Sequence, residues 1–268
     1  MKLLIKQLFF VLKLEIYLDK MIFLSSVLKN RKKNFDYKKK NPNIKLPPDY
    51  YLYETYKLDY ESYINDGEIV ANEIVEWMKP YIPKKNEIKV LDWGCGVSRI
   101  CRHIKHYLGV DSRIYGCDIN QEMIEWGQKN LDEIQYSLID YNPPTKYLND
   151  TFSMVYGISI FTHINYEEQK KWFDEIHRIL TKGGVFLFTT HGTNCISRLT
   201  SEEQNTLKNN GTFTRIYPQN GHRLMATYNT NDNIKKMIEE KYEILEFYEG
   251  EEAKKRTGEQ DLWIIKKK

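Results

Sequence analysis

A chain of 268 residues with 41% apolar and 29% charged residues has the length and composition of one soluble α/β domain with an extension. The formal net charge is +3, but residues 1–40 hold eleven Lys or Arg and three Asp or Glu, a net of +8, so the remainder carries −5. The mild negative charge of residues 41–268 argues against a domain that binds nucleic acid over a whole face. The positive charge of residues 1–40 predicts that this segment contacts an anionic partner.

Residues 1–40 are predicted to form a basic amphipathic helix followed by a linker. A lysine stripe falls within about 40° of arc at 100° per residue: Lys2, Lys6, Lys13 and Lys20. No uncharged run approaches the ~20 residues that span a bilayer, and interrupting charges argue against a cleavable signal peptide. The pattern fits an interfacial anchor that contacts an anionic membrane peripherally. A helix that packs on the domain or in a dimer is the alternative.

The body, residues 41–268, shows strands that alternate with helices after an amphipathic segment at 67–81. The predicted strands are 88–91, 113–117, 135–139, 152–158 and 184–190, and the predicted helices are 98–107, 120–130 and 166–180. Two further strands, Lys241–Tyr248 and Asp261–Lys266, are predicted to close the sheet as an antiparallel pair. The expected fold is α/β: a Rossmann-like, doubly wound, seven-stranded sheet, mostly parallel with one antiparallel strand, plus an N-terminal helical extension.

Residues 193–230 interrupt the alternation. Thr200 to Glu203 has the pattern of a helix cap, and Asn220-Gly221 between two extended runs predicts a hairpin. A segment after the fifth strand lies at the carboxyl edge of the sheet, where ligands bind. It is therefore a candidate acceptor lid, with a surface insertion that has no function as the alternative.

The most informative stretch is residues 88–99. An apolar run ends in Asp92, and Gly94 and Gly96 then lead into a helix. Such a turn brings bare backbone and a helix N-terminus close to a ligand. Dinucleotide sites require a third glycine where Arg99 stands, which argues against NAD or FAD. An acid before the glycines suits a ligand with an ammonium group, such as S-adenosylmethionine (SAM).

Two more acids end predicted strands. Asp118 closes the second strand, where a carboxylate can accept both ribose hydroxyls. Asp140 closes the third strand, where an acid can accept a hydrogen bond from the adenine amino group. The alternative for all three acids is a helix N-cap.

Together these features resemble the class I SAM-dependent methyltransferases over about residues 48–268. The matching segments are Leu91 to Gly96, Asp118, Phe152 to Tyr156 and Leu180 to Gly184. Finer likenesses, to a bacterial branch often associated with surface-glycan gene sets, are Phe161 to His163, Thr189 to Gly192 and Gln260 to Trp263. Ser98 departs from the pattern, because many members carry a third glycine there.

The residues and the resemblance together imply a cofactor site for SAM. Its expected members are Asp92, Gly94, Cys95, Gly96, Arg99, Asp118, Ile119, Asp140, Tyr141 and Gly157. Cys95 is interpreted as a small turn residue, not as a nucleophile. The four cysteines have no zinc-like spacing, and no metal site is expected.

Histidines that follow the fourth and fifth strands are the candidate general bases, namely His163 and His191, with His222 on the predicted hairpin as a third candidate. For each one a structural role is the alternative. The segment after the fourth strand lacks the Asn-Pro-Pro-Tyr type motif of amino-methyltransferases, so adenine- or glutamine-directed N-methylation is disfavoured.

The expected function is SAM-dependent methyl transfer to oxygen of a small or glycan-linked acceptor, in a cytoplasmic protein that contacts the inner membrane face peripherally. A non-catalytic SAM-binding scaffold and a nicotinamide-dependent oxidoreductase are the alternatives. Nucleic acid is not an expected partner, and the oligomeric state stays open.

Overall fold

The computed structural model describes residues 15–82, 87–216, 225–250 and 259–268. The chain divides into two compact units, one ending at Asp66 and the other beginning at Gly67. No helix among the described residues combines the length and the apolar character that crossing a membrane requires.

The first unit is helical. It contains α1 (Glu15–Lys40), α2 (Asp49–Thr55) and the first residues of α3 (Tyr60–Met78). Where a linker was expected, α1 continues through the lysine-rich stretch, because lysine is a good helix former and cations in the last turn complement the helix dipole. Of the predicted lysine stripe, only Lys20 lies within the described residues.

Aromatic packing and polar contacts hold the first unit together. Phe23 of α1 packs against Tyr50 and Tyr53 of α2, with ring centroids 5.4 Å apart in both pairs. Asn34 accepts a hydrogen bond from the backbone N–H of Tyr60 through Oδ1, at 3.0 Å. One side of α1 is therefore occupied by contacts with other residues of the first unit.

The second unit contains the central sheet. Its strands are β1 (Ile88–Trp93), β2 (Ser112–Asp118), β3 (Ile134–Leu138), β4 (Phe152–Gly157), β5 (Leu180–Thr190), β8 (Tyr242–Tyr248) and β9 (Asp261–Lys267). The order is β3-β2-β1-β4-β5-β9-β8, and β9 runs antiparallel to both of its neighbours. The expected seven-stranded sheet with one antiparallel strand is confirmed.

Helices flank the sheet: the rest of α3 and the 3₁₀ turn Lys79–Tyr81, α4 (Cys101–Leu108), α5 (Gln121–Asn130), α6 (Tyr166–Ile179) and α8 (Asn231–Ile238). Adjacent strand residues point to opposite faces, so each face has its own core. Val90 and Met154 pack in one core with α3, while Leu91 and Val155 pack in the other with α6 and α8.

The segment after β5 has its own small structure. It comprises a 3₁₀ helix (Thr193–Arg198), α7 (Ser201–Asn210) and a two-stranded antiparallel sheet of β6 (Thr212–Arg215) and β7 (Ala226–Asn229). The predicted cap is confirmed as a capping box between Thr200 and Glu203. The predicted strand pair is also present, although its turn, including His222, lies outside the described residues.

Candidate active site

A sharp turn connects β1 to α4. Gly94 and Gly96 adopt φ values of 78° and 50°, in the left-handed region that favours glycine. A Cβ at Gly94 would also lie 2.0 Å from Cδ1 of Ile160. The backbone N–H groups of Gly94 and Cys95 both donate to the carbonyl of Cys117, at 2.8 and 3.0 Å. These two hydrogen bonds therefore hold the turn against the end of β2.

Ser98 explains why α4 begins later than the predicted residue 98. Its φ is 65°, which a helix does not accommodate, and the helix starts at Cys101. The Ser98 hydroxyl lies 2.6 Å from the Tyr136 hydroxyl, within hydrogen-bond distance. The hydroxyl that Ser98 adds to the turn is thus paired inside the protein.

Asp118 joins the loops after β1 and β2. Its Oδ2 accepts from the N–H of Gly96 at 2.8 Å, and its Oδ1 accepts from the N–H of Asn120 at 2.9 Å. Burial raises the pKa of this carboxyl, and the backbone donors partly offset that effect. The backbone N–H of Ile119 also contributes a hydrogen bond, and because each carboxylate oxygen has two lone pairs, the group keeps capacity for a further donor such as a ribose hydroxyl. Asp118 therefore fits the expected cofactor.

Asp92 lies beneath the glycine turn with 4% of its surface exposed. Burial raises its pKa to about 7, although the neighbouring Tyr156, Cys101 and Arg99 side chains act in the opposite direction. A carboxyl with this pKa exists in both ionisation states near neutral pH. A nearby ammonium group would shift it to the charged state.

Three more of the expected cofactor residues lie at the ends of β2 and β3. Asp140 and Ile119 are exposed, and Tyr141 is partly buried. A hydrogen bond from the Ile139 N–H to the Asp118 carbonyl, 3.0 Å long, joins the two strand ends. The structure therefore gathers Asp118, Ile119, Asp140 and Tyr141 at one edge of the sheet.

Three other expected cofactor residues lie in closely packed surroundings. A Cβ at Gly157 would lie 2.7 Å from Cε3 of Trp93, so glycine makes room for that ring. Cys95 is buried, and burial raises its thiol pKa well above the usual value. The raised pKa agrees with the interpretation of Cys95 as a small turn residue, since nucleophilic cysteines have lowered pKa values. Arg99 presents its carbonyl to α3, where a Cβ at Gly67 would approach it to 2.2 Å.

The two candidate bases both contact the strand segment that contains β7. Nδ1 of His163 lies 2.8 Å from the carbonyl of Met225, and Nδ1 of His191 lies 3.1 Å from the carbonyl of Thr227. A carbonyl oxygen only accepts hydrogen bonds, so Nδ1 must carry the proton in both neutral rings. Nε2 is then the nitrogen with the lone pair.

His191 is the more enclosed of the two histidines. It is buried, and its ring stacks on Tyr228 with centroids 4.7 Å apart. Burial lowers its pKa to about 4, with smaller effects from the charges of Arg198 and His163. Its imidazole is therefore neutral across the physiological range but a weak base.

A polar ring at the ends of β4, β5 and β9 was not anticipated as a unit. The Ser159 N–H donates to Oγ1 of Thr189 at 2.8 Å, and that hydroxyl donates to Oε1 of Gln260 at 2.6 Å. The Gln260 amide in turn donates to the Ser159 hydroxyl. The sequence signal for the ring is weak: single polar residues within or next to apolar strands.

Comparison with known proteins gives a family match over the residues of this site. Residues 90–184 match the family model described as "Methyltransferase domain". The chain is 26% identical over 113 residues to the cyclopropane-fatty-acyl-phospholipid synthase of Escherichia coli K12, a stretch that covers 41% of this chain and 28% of the synthase. The matched stretch thus spans little more than a quarter of that curated relative.

Solved structures share the fold. A SAM-dependent methyltransferase from Methanosarcina mazei has a TM-score of 0.56 and 17% identity, covering 71% of this chain and 96% of that one. Another from Clostridium acetobutylicum has a TM-score of 0.52 and 15% identity, covering 74% of this chain and 91% of that one. The family match falls on the strand, turn and helix that form the site, so residues 90–184 are similar to a methyltransferase domain, and the comparisons support a class I SAM-dependent methyltransferase with SAM as its cofactor.

Proposed function

We propose that the chain transfers the methyl group of SAM to a hydroxyl oxygen of a small or glycan-linked acceptor. The observation that carries this proposal is the pair of histidines whose Nδ1 atoms face backbone carbonyls, at the carboxyl ends of β4 and β5. This arrangement leaves Nε2 as the basic nitrogen of each ring. A hydroxyl acceptor requires such a base, since its proton must leave as the methyl group arrives.

The sulfonium of SAM supplies an electrophilic methyl group. SAM bound at this site would supply its methyl group to a lone pair of the acceptor oxygen, and sulfur would keep the electron pair of the former S–CH₃ bond. The acceptor proton passes to a histidine, for which His163 is the better candidate because the low pKa of His191 makes it a weak base. Most of the rate gain comes from alignment of the acceptor with the C–S bond.

The cofactor contacts are proposals of the same kind. Asp118 would bind the ribose hydroxyls, and Asp140, Ile119 and Tyr141 would surround the adenine. Asp92 and the backbone at Gly94, Cys95 and Gly96 would contact the methionine end, with Arg99 reaching its carboxylate. The remaining acceptor capacity of Asp118 supports this assignment.

Residues 193–230 are proposed to form the acceptor lid. The segment supplies the Met225 and Thr227 carbonyls that orient both histidines, which supports a place beside the reacting atoms. Peripheral contact of residues 1–40 with an anionic membrane, the glycan linkage of the acceptor and a cytoplasmic location rest on the sequence pattern and the resemblance.

A carbon acceptor on a lipid is the second candidate. The E. coli relative is named for making a cyclopropane fatty-acyl phospholipid, and the likeness of 26% to it is the observation that supports this second candidate. Cyclopropane formation on an alkene also releases a proton, from the added methyl group, so a base would serve either acceptor. The nature of the new bond therefore separates the two candidates.

Mass spectrometry of the purified protein tests the cofactor, since co-bound SAM or S-adenosylhomocysteine is expected. Incubation with SAM labelled with ¹³C in its methyl group, together with hydroxyl-bearing glycans or unsaturated phospholipids, then tests the acceptor. An O–CH₃ carbon resonance in the product supports the proposal, and a C–CH₃ or cyclopropane resonance contradicts it. Tighter binding of NAD than of SAM would favour an oxidoreductase, whereas SAM binding without label transfer to either acceptor class would favour a scaffold.

A further inference from the structure

One side of α1 carries large apolar side chains that are open to solvent. At 100° per residue they fall within about 60° of arc. These residues, here called the α1 stripe, are Tyr17, Met21, Leu24, Leu28 and Phe35, each between 59% and 73% exposed. Scattered exposed apolar residues are normal, but a continuous stripe marks an interaction surface.

The α1 stripe is separate from the contacts that hold α1 in its own unit. Phe23, which packs on α2, and Asn34, which binds the backbone of Tyr60, project from other sides of the helix. The ion pairs that α1 forms among the described residues are those of Lys33 with Asp59 and Glu61, also away from the stripe.

Exposed cations border the α1 stripe. They lie within about 70° of its centre on the helical wheel: Lys20, Arg31, Lys32, Lys38 and Lys39. The carboxylates of Asp19 and Asp36 lie about 90° or more from that centre. The surface therefore combines apolar side chains with positive charge and has no acid of its own between them.

The positive charge beside the α1 stripe indicates which kind of partner this surface binds. Two copies of α1 packed stripe to stripe would face cations with cations, an arrangement that disfavours a coiled coil. Anionic headgroups complement the cations, and the boundary between headgroups and acyl chains accepts the apolar side chains. We propose that the α1 stripe docks α1 flat on an anionic lipid bilayer. This inference does not depend on methyl transfer.

Vesicle sedimentation with the full-length chain tests the proposal. The protein is expected to sediment with phosphatidylcholine vesicles that contain phosphatidylglycerol, to stay in solution with phosphatidylcholine alone, and to be released by high salt. Arg31→Glu with Lys32→Glu should weaken partitioning by about tenfold or more. Lys29→Glu with Lys40→Glu makes the same change of net charge on another side of α1 and should have a much smaller effect.

Leu24→Ser with Leu28→Ser tests the apolar part, with Ile22→Ser on another side as its control. Circular dichroism and SAM affinity should be unchanged in every variant, so a failure of methyltransferase activity would not alter the vesicle result. Equal losses in the two charge pairs, or no vesicle binding by the parent protein, would overturn the proposal. Self-association that the double serine variant abolishes, without vesicle binding, would identify a dimer surface instead.

Discussion

The backbone N–H of Gly96 donates a 2.8 Å hydrogen bond to Oδ2 of Asp118, so the acid that ends β2 also fixes the glycine turn after β1. One carboxylate thereby connects two loops that come from different strands. The carboxylate that is proposed to bind ribose is therefore the same group that holds the glycine turn in place.

Asp118→Ala is expected to weaken SAM binding by roughly ten- to a hundredfold, or about 1.5–3 kcal/mol, because charge-assisted hydrogen bonds to the ribose are lost. Isothermal titration calorimetry measures the change. Asp118→Asn retains an acceptor oxygen and should fall between the parent and the alanine variant. Unchanged affinity in the alanine variant would remove Asp118 from the cofactor site.

Asp92 is expected to make stability depend on pH. Its pKa is raised from 3.8 to about 7, so the folded state binds this proton more tightly than the unfolded state does. The contribution of Asp92 to the free energy of unfolding should therefore fall as the pH rises from about 4 to about 7, by a few kcal/mol in total.

Urea unfolding at several pH values in this range, with Asp92→Asn as the comparison, measures that effect. The variant should show a flatter dependence. Asp261, whose pKa is also raised, to about 6, acts in the same direction but is present in both proteins. Parallel pH profiles for parent and variant would show that Asp92 titrates normally.

The two histidines are expected to differ in their effect on turnover. His163→Gln should lower the turnover number by about 10²-fold with SAM affinity retained, since a general base contributes ~10²–10⁴-fold. His191→Gln should have a smaller effect, because a group with a pKa of about 4 is a weak base near neutral pH. The measurement is steady-state transfer to an acceptor found by the labelling experiment.

A loss of turnover near pH 6 in the parent would not come from His191, which stays neutral there. Near-native turnover in both single variants and in the double variant would assign catalysis to alignment alone or to another group, such as His222.

The sequence indicated the alternation of strands and helices, the glycine turn and the strand-ending acids because each is a local pattern of neighbouring residues. It did not indicate the polar ring, since Ser159 and Gln260 are 101 positions apart and meet only in the folded sheet. It also placed the start of α4 too early, because nothing in the composition of the turn reveals the positive φ of Ser98.

The polar ring is expected to be energetically coupled. Thr189→Val and Gln260→Leu each leave a hydrogen-bonding group without its partner and should each lower the free energy of unfolding by about 1–3 kcal/mol. The double variant should cost less than the sum of the two, with a coupling of about 0.5–3 kcal/mol. Chemical denaturation of the parent, the two single variants and the double variant gives this double-mutant cycle. Strict additivity of the two single effects would argue against a shared network.

Removal of residues 1–40 is expected to leave a domain that binds SAM with affinity close to that of the parent. The proposed cofactor residues all lie in the unit that begins at Gly67. The truncation does remove Phe23 from Tyr50 and Tyr53, so Phe23→Ala in the full chain is the control for local damage to α2. Calorimetry with SAM compares the three proteins, and loss of binding on truncation alone would show that the arm supports the domain.

The position of β9 between β5 and β8 affects how the domain folds while it is being synthesised. On the ribosome, β8 emerges before the strand that separates it from the rest of the sheet. Until β9 has been synthesised, β5 presents an open apolar edge and β8 has no partner strand, and such edges recruit other chains. Translation speed over the last part of this domain, and chaperones that bind there, should therefore influence the yield of folded protein more than events at β1 to β4.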